Sequence, residues 1–171
     1  MPTTYEKCDE AVRELLAKLI GQYHSPLKEA GVSFDLVFAS KTDKDDQPCA
    51  AIKLHGVAAA AKVKITSLED RARGVADAKI LIDRFDWDNA KPQTRAAILD
   101  HELTHIKLKD EGELDDLGRP KLKMREHDWM VWGFDIIAER YKTFAPESVA
   151  FYDAAEHFRQ LDLFEKKEGD E

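Results

Sequence analysis

Between Tyr5 and about Gln22, the apolar residues Val12, Leu15, Leu16 and Leu19 recur at helical spacing, which predicts a first amphipathic helix closed by Gly21 and Pro26. The period then changes. In VSFDLVFAS, Val32, Phe34, Leu36 and Phe38 occupy alternate positions, the pattern of a half-buried strand. KTDKDDQP is polar and reads as a loop, AAIKLHG and AKVKITS as two short strands, and AKILIDRFDW as the clearest later strand. A helix follows with Asn89 or a neighbour as its cap and Pro92 in its first turn, where a missing N–H costs little, and it is expected to run through ILDHELTHIKL.

KDEGELDDLGRPKLK is rich in Gly, Asp and Pro and reads as an extended loop or irregular hairpin turning at Gly118. A third helix is expected over EHDWMVWGFDIIAERYKTF, with Trp129, Trp132, Phe134, Ile137 and Tyr141 as core packing. Pro146 would open a last helix with a stripe of Phe151, Ala155, Phe158 and Leu161.

No repeat, linker or compositional break divides the 171 residues, so a single domain over 1–164 is expected, followed by a charged tail, EKKEGDE, that frays into solvent. No apolar run approaches a bilayer-spanning length, which argues against a membrane partner, and the N-terminus lacks the pattern of a secretory signal, so a cytoplasmic location is expected. The formal net charge of -8 disfavours a nucleic-acid partner, because counterion release needs clustered Lys and Arg. Cys8 and Cys49 have no paired metal spacing around them and read as reduced thiols.

The chemistry concentrates in His101-Glu102-x-x-His105. Residues four apart on a helix differ by about 40° around its axis, so two histidines at this spacing project side by side and can reach one ion, for which zinc is the natural choice. Glu102 points partly away, which suits a general base acting on a metal-bound water better than a ligand. A catalytic zinc usually has three protein ligands. His127 is the candidate for the third on imidazole preference, with Glu126 and Asp128 as adjacent alternatives. His24, His55 and His157 lack such a setting and read as surface or satisfied core residues. Asp100 and Asp135 could orient a ligand histidine, although exposed helix acids are the commoner outcome.

LDHELTHIKL followed by a Gly-containing turn and HDWMVWGFDIIAERY resembles the metallopeptidases of phages and prophages, a zincin-type group similar in pattern to SprT-like proteases. The resemblance extends from about Ile80 to Tyr141. It implies an α+β, zincin-like fold, with a small mixed sheet packed against the motif helix plus further helices. It also implies His101 and His105 as zinc ligands, Glu102 as general base, and a His127–Asp128 pair opening the next helix. The Gly and third His that metzincins carry soon after the motif are missing, which excludes that subgroup.

These readings converge on a zinc-dependent peptidase acting on a peptide or protein substrate, with AKILIDRF as an exposed edge strand that pairs with extended substrate. Three other functions compete with it. One is a zinc-binding protein without activity, another a DNA-associated protease or adaptor of SprT-like type, and the last an interaction module that uses Trp129 and Trp132 on its surface.

Overall fold

The structure, a computed structural model, describes residues 2–54, 56–109, 113–128, 133–146 and 148. His55, Trp129, Trp132 and His157, and the stripe from Phe151 to Leu161, lie outside the described residues. The chain divides into two compact units, Met1–Glu126 and His127–Glu171.

The first unit opens with β1 (Thr4–Lys7), α1 (Glu10–Tyr23), α2 (Ser25–Glu29) and β2 (Phe34–Thr42). Three short strands follow, β3 (Pro48–Cys49), β4 (Lys53–Leu54) and β5 (Val57–Ala58), and then β6 (Ala61–Ile65) and α3 (Leu68–Ala72). β7 (Ala78–Asp83), α4 (Arg84–Asn89), α5 (Pro92–Thr104), β8 (Ile106–Leu108) and β9 (Leu122–Met124) complete it. In the second unit the described residues hold α6 (Asp135–Tyr141) and a 3-10 turn, Lys142–Phe144, where Phe134, Ile137 and Ala145 are buried together with Tyr141 against them. The fold is α+β.

The main sheet runs β1–β2–β7–β6, with β3 also paired to β2. β2 and β7 are parallel, with Leu36 opposite Ile80 and Phe38 opposite Ile82, while β6 is antiparallel to β7. The alternation of β2 is therefore expressed as expected, and its buried residues Leu36 and Phe38 join Val12, Leu16 and Leu19 of α1, Ile80 and Ile82 of β7, and Leu99 and Leu103 of α5 in one core.

Several expected boundaries shift. The first helix starts at Glu10, where the Asp9 carboxylate accepts the Val12 N–H at 3.1 Å, and the residues before it form β1. Pro26 sits in the first turn of α2 instead of ending a helix. AKILIDRFDW is strand only to Asp83. The fully buried Asp83 carboxylate caps α4 by accepting the Phe85 and Asp86 N–H groups, and it also accepts those of Ala51 and Ile52 at 2.6 and 2.8 Å. Lys91, not Asn89, precedes α5, without a side-chain cap. β7 is an interior strand, which corrects the expectation of a substrate-pairing edge in AKILIDRF. Its apolar ILI run fits a strand flanked on both sides, whereas β6, with exposed Lys62 and Lys64, takes the edge.

The expected turn at Gly118 is present, with Gly118 at a φ of 73° and its N–H on the Asp115 carbonyl at 2.9 Å. At the start of β7 lies a buried ionic cluster. Arg71, 6% exposed, donates through its guanidinium to Asp77 Oδ1 at 2.6 Å and also pairs with Asp115, and Arg119 reaches the same Asp77 oxygen at 2.8 Å. Burial works against the charge on Asp77, but the Ser33 hydroxyl and amide, the Arg119 hydrogen bond and the Arg71 charge outweigh it and hold the carboxyl below its usual range.

A carboxylate with a depressed native pKa contributes stability in full above its unfolded value of about 3.9, and loses it as pH falls through the native value. Thermal melts are therefore expected to lose stability below about pH 4. Asp77→Asn should cost about 3–5 kcal/mol at neutral pH by leaving buried cations without their counter-charge, and should flatten that acid decline. An acid profile identical to the wild type would refute this role for Asp77.

The thiols of Cys8 and Cys49 are both free. Burial, with the nearby Asp9 charge, pushes Cys8 up to about 12, so it stays protonated and unreactive at neutral pH. Among the described residues no helix is long and apolar enough to cross a membrane.

Candidate metal centre

Helix α5 is fixed on the core by Ala97, Ile98, Leu99 and Leu103, all nearly or fully buried. That anchoring determines where the polar residues between them can go. His101 and His105 are half-buried, with ring centroids 5.1 Å apart and planes at 70°, and Glu102 is buried at 6% exposure. The helix does not run through the whole motif segment as expected. It ends at Thr104, His105 is its C-terminal cap, and Ile106–Leu108 form β8.

This early ending has a chemical result. β8 pairs with β9 in the register Ile106–Met124, Lys107–Lys123 and Leu108–Leu122, and the ladder continues to His105 and Arg125, whose N–H donates to the His105 carbonyl at 2.7 Å. The Arg125 carbonyl in turn lies 2.8 Å from His105 Nδ1. A carbonyl can only accept, so Nδ1 carries the proton and Nε2 is the unprotonated nitrogen, the one that could ligate an ion. Arg125 was not foreseen from sequence, because the group that acts is a backbone carbonyl that any residue would supply.

His127 is half-buried, with its ring centroid 5.0 Å from that of Phe134. It does not open a helix: residues 126–128 are non-helical and α6 begins at Asp135. One ligand nitrogen from each of His101, His105 and His127 lies within 4.8 Å of the other two, so the three can hold a metal ion. The donor set fits zinc, since borderline-soft imidazole nitrogens suit it and three protein ligands leave a position open. Neither Glu126 nor Asp128 belongs to the group. The Asp128 carboxylate instead accepts the Asp135 N–H at 3.2 Å, at the first turn of α6.

Asp100, expected to be an exposed helix acid, is fully buried and lies 2.6 Å from His24 Nε2. His24 is thus a satisfied, mostly buried histidine that ties the α1–α2 junction to the motif helix. Asp135 is exposed.

The fold is α+β, and it brings together three imidazoles that could hold a metal, two of them on the motif segment that also carries the buried Glu102. The family model described as "Putative phage metallopeptidase" matches residues 3–156, and the chain belongs to that family. No curated protein and no solved structure matches it significantly.

Proposed function

We propose that the protein is a zinc-dependent peptidase in which His101, His105 and His127 hold the ion and Glu102 is the general base. The observation that supports this most is the convergence of three imidazole nitrogens, with the buried Glu102 following His101 on the same helix and the His105 imidazole held with its proton on Nδ1. Zinc, when bound, supplies Lewis acidity that polarises a carbonyl and makes water easier to deprotonate at neutral pH. Glu102 takes the proton from the attacking water and returns it to the leaving amine. Its burial removes competing solvent and raises the strength of each charge interaction it makes. An extended peptide binds by adding a strand to a sheet edge, and β6, the edge strand packed beside α5, is the position for it.

Hydrolysis of a mixed peptide library tests the reading. Turnover should require zinc, stop with a chelator and return on adding zinc back, whereas a zinc-loaded protein that cleaves nothing in the library would contradict it. His127→Ala should lower metal affinity and thermal stability together, because one of three ligands is lost. Asp128→Asn should do less, since its described contact is with the start of α6. The reverse order in a metal titration would remove His127 as the third ligand.

A further inference from the structure

The hairpin that carries the Arg125 carbonyl is short. β8 and β9 have three residues each, and an isolated two-stranded pair of that size is marginal in water. Its root is anchored by apolar packing, with Ile106 buried in the core and Leu108 and Leu122 against it. Its far end lacks such an anchor, since Leu114 and Leu117 are 54% and 44% exposed.

What holds the far end is the ionic cluster. Asp115 Oδ1 accepts the Leu117 and Arg119 N–H groups, both at 2.9 Å, which shapes the turn, while Oδ2 pairs with Arg71. Arg71 also donates to the Pro120 carbonyl at 3.0 Å. Arg119 returns the grip by donating to the Val75 carbonyl at 2.9 Å and to Asp77, whose second oxygen accepts the Ser33 amide and hydroxyl at 2.8 and 2.6 Å. Ser33 and Asp77 immediately precede β2 and β7, so the turn is fastened to one end of the main sheet. From this turn to the metal centre, residues 120–125 make in succession the Leu114–Pro120 bridge, the bond from the Lys109 N–H to the Lys121 carbonyl at 2.8 Å, the β8–β9 pairing and the His105–Arg125 pair. The five extended steps from Pro120 to Arg125 span about 17 Å.

We propose that Arg71, Asp77, Asp115 and Arg119 are positioning residues for the metal centre: by clasping the tip of the β8–β9 hairpin to the sheet they hold the register that keeps the Arg125 carbonyl on His105 Nδ1. The inference rests on the reading of His105 as a metal ligand. It adds a remote determinant of affinity that lies outside the motif. Burial opposes the charge on Asp115, but the Arg119 and Leu117 amides and the hydrogen bond and charge of Arg71 outweigh it and keep the carboxyl ionised at neutral pH.

The test uses the full chain with Asp115→Asn, an isosteric change that keeps an acceptor for the turn amides but loses the charge facing Arg71. Two readouts are made: amide exchange of Arg125 in the metal-free protein, and affinity for cobalt(II) alone, whose visible absorption reports ligand geometry. Exchange at Arg125 should quicken about tenfold as the hairpin opens more often. Cobalt should bind about tenfold more weakly with an altered spectrum, the lower end of what losing an outer contact to a ligand histidine causes. Asp115→Glu, which restores the charge, should recover most of both. Wild-type affinity, spectrum and Arg125 exchange in Asp115→Asn would overturn the clasp while leaving the metal centre intact, as would weaker melting with an unchanged cobalt spectrum and affinity. Failure of the wild type itself to take up cobalt would overturn the metal-centre reading, and the inference with it.

Discussion

His101→Ala and His105→Ala are each expected to abolish tight zinc binding. Two remaining imidazoles cannot close a site that needs three protein donors, and the loss should exceed the ~10–100-fold that outer contacts contribute. The effect should also appear in stability. A ligand that binds only the native state raises stability by about 2.7 kcal/mol at 100 times its dissociation constant, so wild-type protein should melt higher with zinc and both variants should not. Both histidines are half-buried at the protein surface, and Leu99 and Leu103 hold α5 in the core independently of them, so the metal-free variants should still fold. A zinc-dependent rise in melting temperature of wild-type size in either variant would show that its histidine is not a ligand.

Glu102→Gln is expected to keep the metal and lose hydrolysis by about 10²–10⁴-fold in kcat, the usual contribution of a positioned general base. The amide matches the carboxylate in shape, so the tightly enclosed position at 6% exposure can accept it without repacking. It cannot take up a proton at pH 7. Steady-state turnover on a cleaved peptide, with zinc content checked in parallel, separates this outcome from metal loss. Turnover within about threefold of wild type would remove Glu102 from the chemistry.

The local periods in the sequence carried much of this architecture. α1 and β2 follow from the spacing of Val12, Leu16 and Leu19 and of Leu36 and Phe38, because side-chain direction along a helix or strand is a local property. What depends on distant pairing was not legible. Ile106–Leu108 extends an apolar pattern that a helix could also use, and it becomes strand only because Leu122–Met124 lies beside it. The ILI run of AKILIDRF suits an interior strand but does not name its neighbours, and the partner that makes it interior, β6, is set by the fold. Asp83 ends that strand through bonds to a following helix and to residues 51–52, a four-way role that its type permits but does not announce.

The candidate centre divides in the same way. His101 and Glu102 in the last turn of α5 and His105 at its C-terminal cap are readable from their spacing. Ligand chemistry points to His127, but the helix expected to deliver it begins at Asp135 instead. His24, which pairs with the Asp100 carboxylate, lies 76 residues away, a separation over which residue type alone gives no signal.

The most direct measurement is the metal content of the purified 171-residue chain, determined by elemental analysis after zinc loading and dialysis against metal-free buffer. Three convergent imidazoles predict about one zinc per chain, retained through dialysis. Protein that keeps its fold by circular dichroism yet holds well under one-tenth of an equivalent of any transition metal would contradict a metal centre at His101, His105 and His127.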